Sequence, residues 1–112
     1  MPNYIQVITT TQTKDDAQRI AAALVERRLA ACAQVAGPIT STYHWQGEVQ
    51  TATEWQCVAK TRGELYASVE AAIRELHPYQ VPEIVATPIT SGSQAYLDWI
   101  DVEVLPKPDE HD

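Results

Sequence analysis

An α+β domain on one antiparallel sheet, ordered β-α-β-β-α-β with a closing helix, is the fold class this sequence predicts. Three observations predict it. Stretches rich in β-branched and aromatic residues alternate with stretches whose apolar residues recur at three and four positions. Two long strand patterns lie back to back around Gln46-Gly47, a tight-turn signal, so that part of the chain is a hairpin. Each of the two longer helical patterns stands between strand patterns, and right-handed crossovers then place both helices on one face of the sheet. This is the ferredoxin-like arrangement. Many unrelated functions use it, so function has to be argued from particular residues.

The elements follow in order. Residues 4–10 form the first strand, with Tyr4, Ile5, Val7 and Ile8 giving apolar character on both faces, as a central strand requires. Thr13 is the N-cap of a helix over residues 14–29, with Asp15 and Asp16 at its positive end and Arg27 and Arg28 at its negative end. Ala17, Ile20, Ala21, Leu24 and Val25 make its apolar stripe. In the next strand Ile39, Ser41, Tyr43 and Trp45 share one face, and Thr40, Thr42 and His44 the other. Gly37-Pro38 interrupts this run and predicts a bulge or bend. Residues 49–61 are the return strand. Both arms exceed the usual strand length, so the hairpin should overhang the domain. Its tip is expected to carry Tyr43, Trp45 and Trp55, and exposed aromatic area calls for a partner, most simply another copy of the chain.

Thr61-Arg62-Gly63-Glu64 reads as a capping box opening a second helix, whose stripe is Leu65, Val69, Ala72, Ile73 and Leu76. That helix ends at His77, before Pro78. Residues 84–87 are a short strand, and Pro88 places its end at a sheet edge. Ser93 caps a last helix containing Ala95, Tyr96, Leu97, Trp99 and Ile100. Residues 101–105 alternate and predict a short strand after it. One domain over residues 1–105 and a mobile acidic tail over 106–112 complete the expected layout.

The 112 residues suit one domain with a modest core. Eight basic and fifteen acidic residues give a net charge of −7, which argues against a nucleic-acid surface. No apolar run approaches the roughly eighteen residues of a membrane span, and Met1-Pro2-Asn3 lacks the basic start of an export signal. Cytoplasm is the expected compartment, with Cys32 and Cys57 reduced and acting as packing residues. No Ser-His-Asp order, Walker motif, dinucleotide fingerprint or HExxH occurs, so no enzyme is expected.

The stretch His77-Pro78-Tyr79-Gln80-Val81-Pro82-Glu83 carries the chemistry. Its prolines hold His77 and Val81 extended and stiffen a loop dense in polar groups, as functional loops on rigid scaffolds are. The plainer reading is that two prolines stop a helix and start a strand.

Four stretches in order resemble the CutA family of divalent-cation tolerance proteins. They are Arg28-Leu29-Ala30-Ala31-Cys32, Tyr43-His44-Trp45-Gln46-Gly47, the loop at 77–83, and Tyr96-Leu97-Asp98-Trp99, and the likeness runs from about residue 4 to residue 104. The resemblance implies a ferredoxin-like subunit in a tight cytoplasmic homotrimer, joined through the long hairpins and linked to copper or another divalent cation. It also implies likeness to PII-type signalling trimers, which bind small ligands between subunits. The family's copper donors are a cysteine at the end of the first strand and histidines before Pro-Tyr-Gln. Here those positions hold Thr9, Leu76 and His77.

His77 is therefore the candidate metal ligand, against the ordinary reading of a histidine bonding the last carbonyls of its helix. Lys60, Tyr79 and Glu83 are candidates for a polar ligand cleft between subunits; the competing reading makes Glu83 one half of an ion pair across the trimer. Tyr43, Trp45 and Trp55 are the candidate trimer interface. Expected roles are metal tolerance with weak divalent-metal binding, a small-ligand signalling trimer, or a structural interaction trimer.

Overall fold

The computed structural model describes residues 2–106. The chain runs through β1 (Tyr4–Thr11), α1 (Lys14–Glu26), β2 (Cys32–Trp45), β3 (Glu48–Arg62), α2 (Tyr66–Leu76), β4 (Val85–Pro88) and α3 (Gln94–Glu103). The four strands form one antiparallel sheet in the order β2-β3-β1-β4. That is the predicted ferredoxin-like class, and β4 is an edge strand, as Pro88 required.

One face of the sheet makes the core. Ile5 and Val7 of β1 and Cys57 and Ala59 of β3 point the same way, because side chains alternate. Against them lie Ala17, Ile20 and Leu24 of α1 and Val69, Ala72 and Ile73 of α2. The helix boundaries come from local chemistry. The Thr13 side chain accepts from the Asp16 N–H at 3.1 Å. The end of α1 is a Schellman motif: the Leu29 N–H bonds the Leu24 carbonyl and the Arg28 N–H bonds the Val25 carbonyl. Arg28 takes the left-handed conformation there (φ 57°), a position usually given to glycine. The helix is thus shorter than the stripe at 14–29 suggested.

The hairpin turns on two residues, Gln46 and Gly47, both at positive φ. Its bulge falls between Ala36 and Ile39, as Gly37-Pro38 predicted. Gly37 is needed for space: a Cβ there would meet Trp55 Cε3 at 2.7 Å. This places Trp55 at the base of the hairpin, opposite Thr11 and under Lys14, whose Nζ is 5.5 Å from the ring centroid. The expectation that Trp55 stands at an exposed tip is corrected accordingly. Tyr43 and Trp45 do stand on the overhang, each 43% exposed. Beyond Thr11 no third strand among the described residues accompanies β2 and β3, although their pairing continues to Trp45 and Glu48. The overhang is about 23 Å of strand, and the molecule measures 52 × 27 × 24 Å.

Two local expectations fail for packing reasons. Thr61 does not cap: it stays in β3 opposite Ile5, fully buried, and its Oγ1 has no partner. Glu64 instead meets Arg62 at 2.8 Å, and a 3₁₀ turn over Gly63–Leu65 leads into α2. Residues 101–103 are helical. Ile100 (0% exposed) and Val104 (4%) are buried one helical turn apart, while Val102, which a strand would place on their face, is 73% exposed. Arg62 Nη2 donates to the Leu105 carbonyl, and Tyr4 Oη donates to Asp101 at 2.8 Å; both fasten α3 to the sheet. Residues 107–112, most of the expected acidic tail, lie outside the described residues.

Candidate functional site

The end of β1, the overhang and the loop at 77–83 meet at one place. Pro78 ends α2 and turns the chain across the sheet, which leaves His77 beside the last residues of β1. His77 is 8% exposed, and both of its ring nitrogens are used. The backbone N–H of Tyr79 donates to Nδ1 at 3.1 Å, so Nδ1 is the acceptor nitrogen. Nε2 therefore carries the proton and donates to the Thr10 carbonyl at 2.7 Å. The Tyr79 ring lies 4.7 Å from the imidazole. Its hydroxyl donates to Glu54 Oε2 on β3 at 2.7 Å. A continuous latch thus runs from β1 through His77 and Tyr79 to β3. Burial, the hydrogen bond to Glu54 and the charge of that carboxylate hold the Tyr79 phenol far above its ordinary range, so it stays a donor.

Above this latch opens a cleft of about 700 Å³. The overhang supplies Ser41 to Trp45, the loop supplies Tyr79 to Glu83, and Thr10 and Glu54 also line it. Of the residues singled out in the sequence, Tyr79, Glu83, Tyr43 and Trp45 meet here, with Glu83 exposed on the rim. Lys60 does not join them. It lies about 20 Å further along β3, with Nζ on Gln34 Oε1 at 3.1 Å and 5.8 Å from the Tyr96 ring. The supposed Lys60–Tyr79–Glu83 constellation is absent from the folded chain. Glu54 was missed, since strand alternation puts it on the face opposite the core residues Cys57 and Ala59, where nothing local marks it as covered. Its 7% exposure comes from the loop that folds over it.

The donors implied for copper do not fit this chain. Thr9 has no sulfur, and its hydroxyl is sealed in the core without a partner. Leu76 has no donor atom, and His77 has no free lone pair while the latch is closed. Among the described residues, no three His, Cys, Asp or Glu side chains gather to hold a metal ion. Cys57 is buried, which pushes its thiol up to about 11 and away from the thiolate that metals prefer.

Comparison with known proteins places this geometry. The model of the CutA1 divalent ion tolerance protein family matches residues 5–103. The divalent-cation tolerance protein CutA of Thermus thermophilus is 45% identical over 94 residues, covering 84% of this chain and 91% of that one. Its Archaeoglobus fulgidus namesake is 40% identical over 104 residues, covering 93% and 99%. The solved structure of CutA1 from Oryza sativa superposes with a TM-score of 0.91 at 33% identity, covering 95% of this chain and 97% of that one. Relatives from Arabidopsis thaliana and Oryza sativa are named chloroplastic, and the solved Archaeoglobus fulgidus structure is named periplasmic, so one compartment does not serve all. Among the described residues, no helix is long and apolar enough to cross a membrane. The match over residues 5–103, with the same fold, means that this protein belongs to the CutA1 divalent ion tolerance family.

Proposed function

We propose that this chain serves divalent-cation tolerance as a cytoplasmic homotrimer that binds a small ligand in the cleft over Tyr79 and Glu54, and not by holding a metal at His77. The observation that carries the reading is the latch: both nitrogens of His77 are spent on closing the loop that forms the cleft floor. Copper or another divalent cation then meets only the acidic surface, and weakly. The chain is a binding module with no catalytic step.

The trimer has its support in the overhang. From Glu48 to Glu54 the outer edge of β3 has no partner strand among the described residues. Such an edge invites pairing with another copy. Tyr43, Trp45 and Val49 stand exposed beside it and supply apolar area for that contact. The two unpaired cysteines, Cys32 and Cys57, suit a reducing compartment.

Light scattering tests the assembly: three protomers per particle are expected, and a monomer would overturn it. A thermal-shift screen of metabolites and nucleotides, mapped by amide NMR, tests the cleft. A hit should move the amides of Glu54, Tyr79 and Tyr43. Titration of chelator-treated protein with Cu(II) or Zn(II) should give weak binding that His77→Ala leaves unchanged. Tight binding lost in that variant would restore His77 as a metal ligand and sink the proposal.

A further inference from the structure

Glu54 is the group in the cleft whose chemistry the chain leaves incomplete. It is 7% exposed, and Tyr79 is its one hydrogen-bond donor among the described residues. That bond uses Oε2; Oε1 receives none, and no Lys, Arg or His of the described residues forms an ion pair with this carboxylate. A carboxylate this buried, open only toward the cleft, is costly without a counter-charge. The surrounding lining does not provide one. It offers the rings of Tyr43, Trp45 and Tyr79, a second carboxylate at Glu83, and no Lys or Arg.

Carboxylate beside aromatic faces is the chemistry that recognises an organic cation. Ring faces attract an ammonium group, and a carboxylate forms charge-assisted hydrogen bonds with it. A hard metal ion wants six or more oxygen donors in a close shell, and no three candidate ligands converge here among the described residues. A neighbouring copy also has little to lend. Every Arg among the described residues already faces an acid, Lys60 is bonded to Gln34, and Lys14 lies over Trp55. The cleft of about 700 Å³ has the size of a small-molecule site.

We infer that the cleft takes a small organic ammonium ligand, its charge seated on Glu54 and its carbon skeleton against Tyr79 and Tyr43. The inference rests on the ligand-cleft reading above and names the ligand class. It makes Glu54 the specificity determinant and Tyr79 the residue that aims the carboxylate.

Amide NMR titration of the ¹⁵N-labelled full chain tests it, with n-pentylammonium, its neutral counterpart 1-pentanol and the anion valerate as probes. Glu54→Gln is the matching variant, because its amide oxygen still accepts from Tyr79. The ammonium probe should move the amides of Glu54, Tyr79 and Tyr43 in the wild-type protein, with pentanol and valerate binding at least about tenfold more weakly. Glu54→Gln should cost the ammonium probe a similar factor. Equal binding of pentanol, or unchanged ammonium affinity in Glu54→Gln, would overturn the inference; the pentanol comparison needs no variant to fold. Loss of the oligomer in Glu54→Gln, with no ammonium binding to the wild type, would mean that a neighbouring copy supplies the cation, and would overturn it too. If valerate, pentanol or a screened metabolite moves these amides and the ammonium does not, the ligand cleft stands and the ammonium class falls. If nothing moves them, both fall.

Discussion

Removing one oxygen from Tyr79 isolates what the latch contributes. Tyr79→Phe keeps the ring that packs 4.7 Å from His77 and deletes the hydroxyl that donates to Glu54 at 2.7 Å. Hydrogen bonds to charged groups contribute about 1.5–3 kcal/mol, and a buried acceptor left without its donor loses toward the upper end. Glu54 borders the cleft, so water can approach it from that side, which moves the expected loss to about 2 kcal/mol. That is roughly a thirtyfold change in the folding constant, at about 1.4 kcal/mol per factor of ten. Urea unfolding followed by tryptophan fluorescence measures it, at one fixed protomer concentration because an oligomer's stability depends on concentration. The midpoint should fall with little change in slope. In a double-mutant cycle with Glu54→Ala, which removes the acceptor, the two effects should be non-additive by about 1 kcal/mol or more. A Tyr79→Phe midpoint equal to the wild type, or strictly additive losses, would refute the latch as a stabilising unit.

Other substitutions follow from the same packing. Gly37→Ala should destabilise by about 1–3 kcal/mol, because its Cβ would meet the Trp55 ring at 2.7 Å and its φ is positive; a urea midpoint within error of wild type would contradict this. Thr9→Val should stabilise by up to about 1 kcal/mol, since it removes a sealed hydroxyl without a partner and keeps the shape; calorimetry would show a raised Tm, and a lowered one would mean that Oγ1 has a partner after all. With its thiol raised to about 11 by burial, Cys57 stays a neutral thiol at pH 8. In a Cys32→Ser background its alkylation in the native protein should be slow at pH 8 and accelerate toward pH 11. The sign for stability follows. The raised value favours the folded state at every pH below the unfolded thiol's value, and that contribution is lost as pH rises through about 11. Fast alkylation of the folded protein at pH 8 would contradict the buried placement.

Much of the architecture was legible because each element carries its own local signal. The Thr13 and Ser93 caps both form, with their side chains accepting from the Asp16 and Tyr96 amides. Gln46-Gly47 makes the turn, and Gly37-Pro38 makes the bulge. The failures share a cause: a local pattern was overruled by what the sheet required. Thr61 matched a capping box, yet its side chain is used on the core face of β3. Residues 101–105 alternated, yet the chain buries Ile100 and Val104 and exposes Val102 between them, which a helix allows and a strand does not. The site was legible in its loop and not in its partners. Tyr79 and Glu83 could be read from the stiff polar segment, but the residue facing them depends on strand register. That register sets Thr11 opposite Trp55, which brings Glu54 to the loop and leaves Lys60 six positions away. Nothing in the composition of β3 marks Glu54 above Lys60.

The state of the His77 ring tests the central claim most directly, because the latch and a metal site cannot use the same nitrogens. Long-range ¹H–¹⁵N spectra of the histidine rings, recorded before and after one equivalent of Zn(II), report it. The account predicts an Nε2–H tautomer for His77, with both ring nitrogens unmoved by zinc. A metal-induced shift at either nitrogen of His77 would show that the latch opens to bind metal, and would contradict the account.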